Sequence, residues 1–198
     1  MALNTNNLTI PMVEENEGKY SKSWDIFSKL LKDRIIMLNE EVNNVTSSLI
    51  TAELLYLNSL DPKAPIEFYI NSPGGNVSDG LAIYEVMRRI SAPVYTICTG
   101  MAASMGAFLL AMGEHGHRYC GKYSEVMIHQ VIGGFKGQST DINIHAKHIE
   151  NMKIKLTLLL SESTNGITNA ETMWNLCERD NFLTPEEAKN IGLIDEII

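Results

Sequence analysis

Two consecutive stretches of the chain repeat one order of elements, and that order limits the fold more than any other feature. Residues 64–70 have the composition of a buried strand and lead into a Gly-rich turn, and residues 79–90 then show helical periodicity. Residues 92–98 predict a second strand, and residues 104–112 predict a helix that is small or apolar on nearly every side. This succession predicts an α/β fold of parallel βαβ units, whose loops lie at the carboxyl ends of the strands.

The chain before residue 64 and after residue 112 contains further strand and helix patterns. Residues 140–161, with Ser139 as the predicted N-cap, form a helical pattern about 33 Å long at 1.5 Å per residue. Such a helix is too long for a small domain, so we expect it to project and to meet another subunit. The remaining predicted elements are strands at 34–38, 118–120 and 125–129, and helices opening at 23–25, at 45–60, at 170–177 and from Pro185 after the N-cap Thr184.

Length and composition predict one domain and exclude several classes of protein. Of the 198 residues, we assign 1–20, which are polar and Asn-rich, to a flexible N-terminal arm or short propeptide and 21–198 to a single domain. The net charge of −8 argues against a nucleic-acid or anionic-membrane binder. Three cysteines without a CxxC pair favour neither a disulfide framework nor a zinc site, and no segment has the pattern of a secretory signal or a membrane span. These features predict a cytoplasmic protein.

Ser104 stands at a predicted strand-to-helix corner among residues too small to cover its hydroxyl. There the hydroxyl is exposed for nucleophilic attack, and the N–H groups that open the helix, such as that of Met105, stay unpaired. Gly75, in the turn after the neighbouring strand, brings a second N–H without a side chain in the way. Together these groups are typical of an oxyanion hole. Taken alone, small residues such as those around Ser104 more often serve close helix packing.

His129 ends a predicted strand and supplies a candidate general base. A single histidine at a strand end is more often structural. Asp180 lies in a charged turn, and the residues alone do not distinguish it from Asp141 or Asp195 as the group that orients the imidazole. The pair His145 and His148 has helical spacing for a metal, but no third ligand is nearby, so we predict no metal site.

Three segments carry a resemblance to a known family: INSPGG at 70–75, AASMGAFLL at 102–110 and VMIHQ at 126–130. Together they resemble the ClpP family, the proteolytic subunits of Clp proteases, and the similarity extends over nearly the whole chain. The resemblance implies a crotonase-like ClpP fold of repeated βαβ units with a protruding helix-strand handle at about 130–162.

The site residues implied by the resemblance are those of a serine endopeptidase. Ser104 would be the nucleophile, His129 the general base and Asp180 the residue that orients the imidazole. Gly75 and Met105 would supply the oxyanion N–H groups.

The resemblance also implies an assembly and partners. Two stacked heptameric rings of identical subunits would join through the long helix and the Gly-rich strand before it, which would contain Gln138, with Glu178 and Arg179 contacting the opposite ring. An AAA+ unfoldase such as ClpX, ClpA or ClpC would dock near the N-terminal arm and the outer ring surface around Tyr69. It would feed unfolded proteins, and short peptides would be cleaved without it. The chain has no P-loop pattern, so ATP would be used by the partner and no cofactor is expected here.

Five positions depart from the family pattern without removing a catalytic group. They are Met101, Val131, Asn143, Leu176 and Glu67, the last standing where an aromatic residue often lines the ATPase-docking pocket. Two alternatives stay open: a catalytically weak or silent paralogue in a mixed ring, and a crotonase-type acyl-CoA enzyme, which would leave Ser104 and His129 without a role.

Overall fold

The computed structural model describes residues 10–17 and 20–198. Its strands are β1 (Met12–Glu17), β2 (Tyr20–Asp25), β3 (Ile35–Leu38), β4 (Ile66–Ser72), β5 (Val94–Ala103), β6 (Arg118–Cys120), β7 (Glu125–Ile128), β8 (Asn181–Leu183) and β9 (Glu196–Ile197). Its helices are α1 (Ile26–Lys32), α2 (Asn44–Leu60), α3 (Val77–Arg89), α4 (Met105–Ala111), α5 (Ser139–Ser163), α6 (Ala170–Leu176) and α7 (Pro185–Asn190). None of the helices in these ranges combines the length and the apolar character needed to cross a bilayer.

The central sheet is mostly parallel, which confirms the predicted α/β class. Its strands lie in the order β3-β4-β5-β6-β9, and every neighbouring pair in that order is parallel. The ten-residue β5 serves two partners in turn: Thr96–Cys98 pair with β6, and Met101–Ala103 pair with β7. Strand β7 in turn pairs with the antiparallel β8. The second half of β5 therefore brings the end of β7 and the start of β8 to the same edge of the sheet.

The core lies where helices α2, α3 and α4 cover the parallel strands. Leu54, Phe68, Ile83 and Leu109 are fully excluded from solvent, and burial of this apolar surface is the main favourable term in folding. All seven residues of α4 are buried, as their small and apolar composition predicts. Helix α4 is therefore fixed on all sides, and its N-terminus is a rigid part of the structure.

The N-terminal region differs from the prediction. Residues 1–9 and 18–19 lie outside the described residues, whereas β1 falls in the region assigned to an arm and pairs with the antiparallel β2, most of which belongs to the predicted domain. The hairpin is tied to α1, because Lys32 Nζ lies 2.7 Å from Glu15 Oε2. The helix predicted to open at 23–25 begins instead after Asp25, whose carboxylate caps it by accepting from Ser28 N at 3.0 Å.

Helix α5 has 25 residues and confirms the predicted long helix, with two differences at its start. Gln138 is the N-cap rather than Ser139. The stretch from 129 to 138 contains no strand, although the resemblance implied a strand that would contain Gln138. A strand needs a hydrogen-bonded neighbour, and the rest of the described chain offers none to this segment.

Candidate active site

Ser104 occupies the corner between β5, which ends at Ala103, and α4, which begins at Met105. Its backbone has φ 54° and ψ −119°, a region that L-residues rarely adopt. Two hydrogen bonds hold this conformation: Ser104 N donates to Met127 O at 2.8 Å, and Ser104 O accepts from Phe108 N at 3.0 Å. The corner is thus strained, and the ladder between β5 and β7 and the first turn of α4 maintain it.

The Ser104 hydroxyl is directed at His129. A serine before a helix usually caps it by accepting from an N–H of the first turn, but Ser104 makes no such bond. Instead its Oγ lies 2.8 Å from His129 Nε2, a hydrogen-bonding distance. Because Ala103 is paired with Met127 and β7 ends at Ile128, the sheet register itself places His129 beside Ser104.

Asp180 reaches the other nitrogen of the imidazole. It directly precedes β8, and the pairing of Ile128 with Asn181 sets Asp180 next to His129. Asp180 Oδ1 lies 3.3 Å from His129 Nδ1. The imidazole is enclosed, with 13% of the side chain exposed, whereas 64% of the Asp180 side chain is exposed. The structure therefore brings all three predicted residues together, with the carboxylate at the solvent-facing end.

Two backbone N–H groups beside Ser104 are free to bind an oxyanion. Within the described part of the chain, neither Gly75 N nor Met105 N donates a hydrogen bond. Gly75 has φ 148°, and a Cβ there would lie 2.2 Å from Val42 O, so only glycine fits this position. Met105 N opens α4, where the helix dipole favours negative charge. These are the two donors that the sequence analysis named.

A cavity of about 250 Å³ adjoins Ser104 and His129. Gly75 and Met105 form part of its wall, and most of the rest is apolar. The apolar lining residues are Pro73, Val77, Phe108, Met127, Val131, Ile132, Leu156 and Leu160. Leu156 lies on α5, and helical periodicity alone does not show that this face of α5 closes a cavity beside Ser104.

Of the residues predicted to contact another ring, Glu178 and Arg179 lie beside Asp180, and Glu178 makes its contact within the chain. Glu178 Oε2 lies 2.8 Å from Lys153 Nζ of α5. The hydrogen bond from Lys153 is the main cause that lowers the pKa of the Glu178 carboxyl. The Arg179 side chain is 85% exposed, and Gln138 is exposed at the start of α5. Lys153 was missed by the sequence analysis, because its partner lies 25 positions away in the chain.

Tyr69, the predicted docking residue, belongs to a different part of the surface. It lies on β4, and its hydroxyl donates to Glu67 Oε2 at 3.2 Å. Burial, followed by the charge of Glu67, raises the pKa of Tyr69. On the neighbouring strands, Tyr95 stacks on His117 with ring centroids 3.9 Å apart, and His117 Nδ1 lies 2.9 Å from the Tyr119 hydroxyl. Aromatic rings and Glu67 thus lie together on adjacent strands.

One of the two helical histidines weighed as metal ligands has an aromatic contact. His145 stacks on Phe135, with ring centroids 3.7 Å apart. In residues 10–17 and 20–198, no group of three or more His, Cys, Asp or Glu side chains is arranged to hold a metal ion.

Comparison with protein families matches residues 17–198 to the family described as Clp protease. The matched region contains β2 and every later element, together with Ser104, His129, Asp180, Gly75 and Met105. It confirms the resemblance seen in the sequence motifs. The match does not favour the acyl-CoA alternative, which belongs to a different chemistry.

Proposed function

The chain belongs to the Clp protease family and is a peptidase of the ClpP type, and on that premise we propose that it is a serine endopeptidase with Ser104, His129 and Asp180 as its catalytic triad. The 2.8 Å approach of His129 Nε2 to Ser104 Oγ, beside two unpaired N–H groups, is the observation that carries the proposal. Nucleophile, base and oxyanion donors are the parts that acyl transfer requires.

The proposed reaction follows from these positions. His129 Nε2 takes the proton of the Ser104 hydroxyl while Oγ attacks the peptide carbonyl carbon. Gly75 N and Met105 N donate to the carbonyl oxygen as it gains negative charge. When the intermediate collapses, the C–N bond breaks and the imidazolium gives its proton to the leaving amine. Water then attacks the acyl-enzyme, with His129 again as base, and releases the acid and free Ser104.

Asp180 has the supporting role in this reaction. Its carboxylate faces His129 Nδ1. A carboxylate at this position favours the tautomer with the proton on Nδ1, so Nε2 is able to accept the proton of the Ser104 hydroxyl. The carboxylate also stabilises the imidazolium while it exists. The apolar cavity beside Ser104 accommodates an apolar side chain next to the scissile bond, because a charged group would lose its hydration there without a partner.

The proposed assembly and partner follow from family membership together with the surface of the chain. Helix α5 exposes four large apolar side chains: Ile142, Ile144, Ile154 and Leu158. Several exposed apolar side chains on one helix are typical of a contact between subunits. We therefore extend the proposal to two stacked heptameric rings that receive unfolded chains from an AAA+ unfoldase. Sedimentation of the purified chain tests the rings, and degradation of an unfolded protein with ATP and each candidate unfoldase tests the partner.

Hydrolysis of short fluorogenic peptides tests the proposed catalysis. We expect cleavage after an apolar residue to exceed cleavage after Asp, with activity abolished in Ser104→Ala and His129→Ala. Ser59→Ala, at an exposed serine of α2, is the matched control and retains full activity. A Ser104→Ala protein that cleaves the peptide at the wild-type rate overturns the proposal.

A further inference from the structure

Lys153 links the long helix α5 to the turn that carries Asp180. Its Nζ lies 2.8 Å from Glu178 Oε2 and 3.9 Å from the centroid of the Trp174 ring on α6. Only 13% of the Lys153 side chain is exposed, whereas the neighbouring Arg179 is 85% exposed. The ammonium group is thus held between a carboxylate and an aromatic face.

Glu178 is also attached to the segment that carries His129. Gln130, the residue after His129, donates from its side-chain Nε2 to the Glu178 carbonyl oxygen at 2.8 Å. The Glu178 side chain is therefore bound to α5 and its backbone to the end of β7. Asp180 follows two residues later, and its own side chain is largely exposed.

These contacts leave Asp180 dependent on its neighbours for its position. Its carboxylate lies 3.3 Å from His129 Nδ1, a distance longer than an ordinary charge-assisted hydrogen bond. An exposed carboxylate on a turn moves unless the turn is fixed. We propose that Lys153 is a positioning residue for the triad: by binding Glu178 while stacked on Trp174, it fixes the turn that holds Asp180 against His129.

The Trp174 ring strengthens the ion pair between Lys153 and Glu178. An exposed ion pair contributes little by itself, because both partners stay hydrated and their long side chains lose conformational freedom. The Trp174 indole attracts the ammonium and removes water from one side of it. It also limits the Lys153 side chain to the direction in which it meets Glu178. The proposal rests on the triad role given to Asp180 above, and it adds α5 as the element that sets the position of this residue.

Substitutions at Lys153 and Trp174 test the positioning role. Lys153→Met keeps the unbranched apolar stem and loses the charge, whereas Trp174→Leu loses the aromatic ring. We expect kcat for a short peptide to fall about tenfold in each, with KM nearly unchanged, because misplacement of a catalytic group affects the chemical step. Lys153→Arg restores the cation and retains most of kcat. Lys155→Met, at an exposed lysine of the same helix, is the matched control and keeps full activity.

A double-mutant cycle separates positioning from a general loss of structure. If Lys153 acts through Glu178, then Lys153→Met and Glu178→Gln together lower kcat no more than either change alone. Rates are expressed per Ser104 labelled by a fluorophosphonate, so inactive or unassembled protein is not counted. Additive losses, or Lys153→Met at the wild-type kcat, overturn this inference. A wild-type protein that neither cleaves peptide nor labels at Ser104 overturns the proposed function instead.

Discussion

Gly74→Ala places one methyl group against the base of the nucleophile. Gly74 has φ 92°, and a Cβ on its present backbone would lie 2.6 Å from Ser104 Cβ and 2.6 Å from Ala103 O. Carbon atoms in contact are separated by about 3.5 to 4.0 Å, so the two segments must move apart by about 1 Å. A displacement of that size at a nucleophile lowers kcat/KM by about 100-fold.

Two costs to stability accompany this change. Alanine in the left-handed region costs about 1 to 2 kcal/mol, and the forced contact adds about 1 to 3 kcal/mol. Gly116→Ala is the matched control, because Gly116 has φ 85° and a Cβ there would meet nothing within 4 Å. Gly116→Ala therefore loses only the about 1 to 2 kcal/mol that alanine costs in the left-handed region, and it keeps its activity.

Urea unfolding and peptide hydrolysis measure the two effects on both variants. We expect Gly74→Ala to lose about 2 to 5 kcal/mol of unfolding free energy, against about 1 to 2 kcal/mol for Gly116→Ala. If both variants lose activity equally, the loss comes from backbone strain and the argument from the Ser104 contact is refuted. A Gly74→Ala protein with wild-type kcat/KM refutes it equally.

Four further predictions concern catalysis, folding, the pH dependence of stability and a thiol. Asp180→Asn lowers kcat on the order of 10⁴-fold, measured on a short peptide, because the imidazole loses the group that fixes its tautomer; a loss of less than about tenfold contradicts this role. The Arg118 side chain is 2% exposed and binds Asp195 at 2.6 Å. Arg118→Met leaves the Asp195 carboxylate without its partner and lowers the unfolding free energy by about 3 to 5 kcal/mol. A urea midpoint equal to that of the wild type contradicts the prediction. Burial acts to raise the pKa of Asp195, but the bonds and charge of Arg118 outweigh it, so the pKa is lowered. The stabilisation by the Asp195 carboxylate is therefore present above the pKa of about 3.9 that Asp has in the unfolded chain, and it is lost as the pH falls through the lower pKa of the folded protein. Urea unfolding at a series of acidic pH values measures this loss, and the pH dependence is absent from Asp195→Asn. Burial raises the pKa of Cys177 to about 11, so iodoacetamide at pH 8 modifies this thiol only after unfolding, and rapid labelling of the folded protein contradicts its burial.

Most elements of the parallel sheet could be predicted from local sequence, because short-range chemistry determines them. Apolar periodicity gave the strands and helices from β3 to α4 to within a few residues. Thr184 and Pro185 mark the start of α7 in the sequence, and the structure contains a capping box there between Thr184 and Glu187. Strand β5 runs five residues beyond its predicted end, to Ala103, since its second half is paired with β7 and no local pattern indicates that pairing.

Elements that depend on distant partners could not be predicted in this way. The β1–β2 hairpin has no clear alternation of apolar and polar residues, and its pairing and the contact of Glu15 with Lys32 hold it in place. The strand implied before α5 is absent from a single chain because it has no neighbour to pair with. For the hairpin, the deciding contact is a tertiary one between Glu15 and Lys32.

The residues of the candidate site also differ in whether the local sequence predicts them. Ser104, Gly75 and Met105 could be predicted from local geometry, because a strand-to-helix corner leaves a hydroxyl and N–H groups exposed. Asp180 could be distinguished from Asp195 only through family resemblance, and the structure gives the physical reason: Asp195 is bound by Arg118, whereas Asp180 faces His129.

Covalent labelling of the full-length protein with a fluorophosphonate probe, followed by mass spectrometry of its peptides, tests the central claim most directly. The account predicts one adduct on Ser104, absent from Ser104→Ala and strongly slowed in His129→Ala, with loss of peptide hydrolysis in proportion to labelling. Peptide hydrolysis that persists in fully labelled protein, or an adduct on a different serine with Ser104 unmodified, would contradict it.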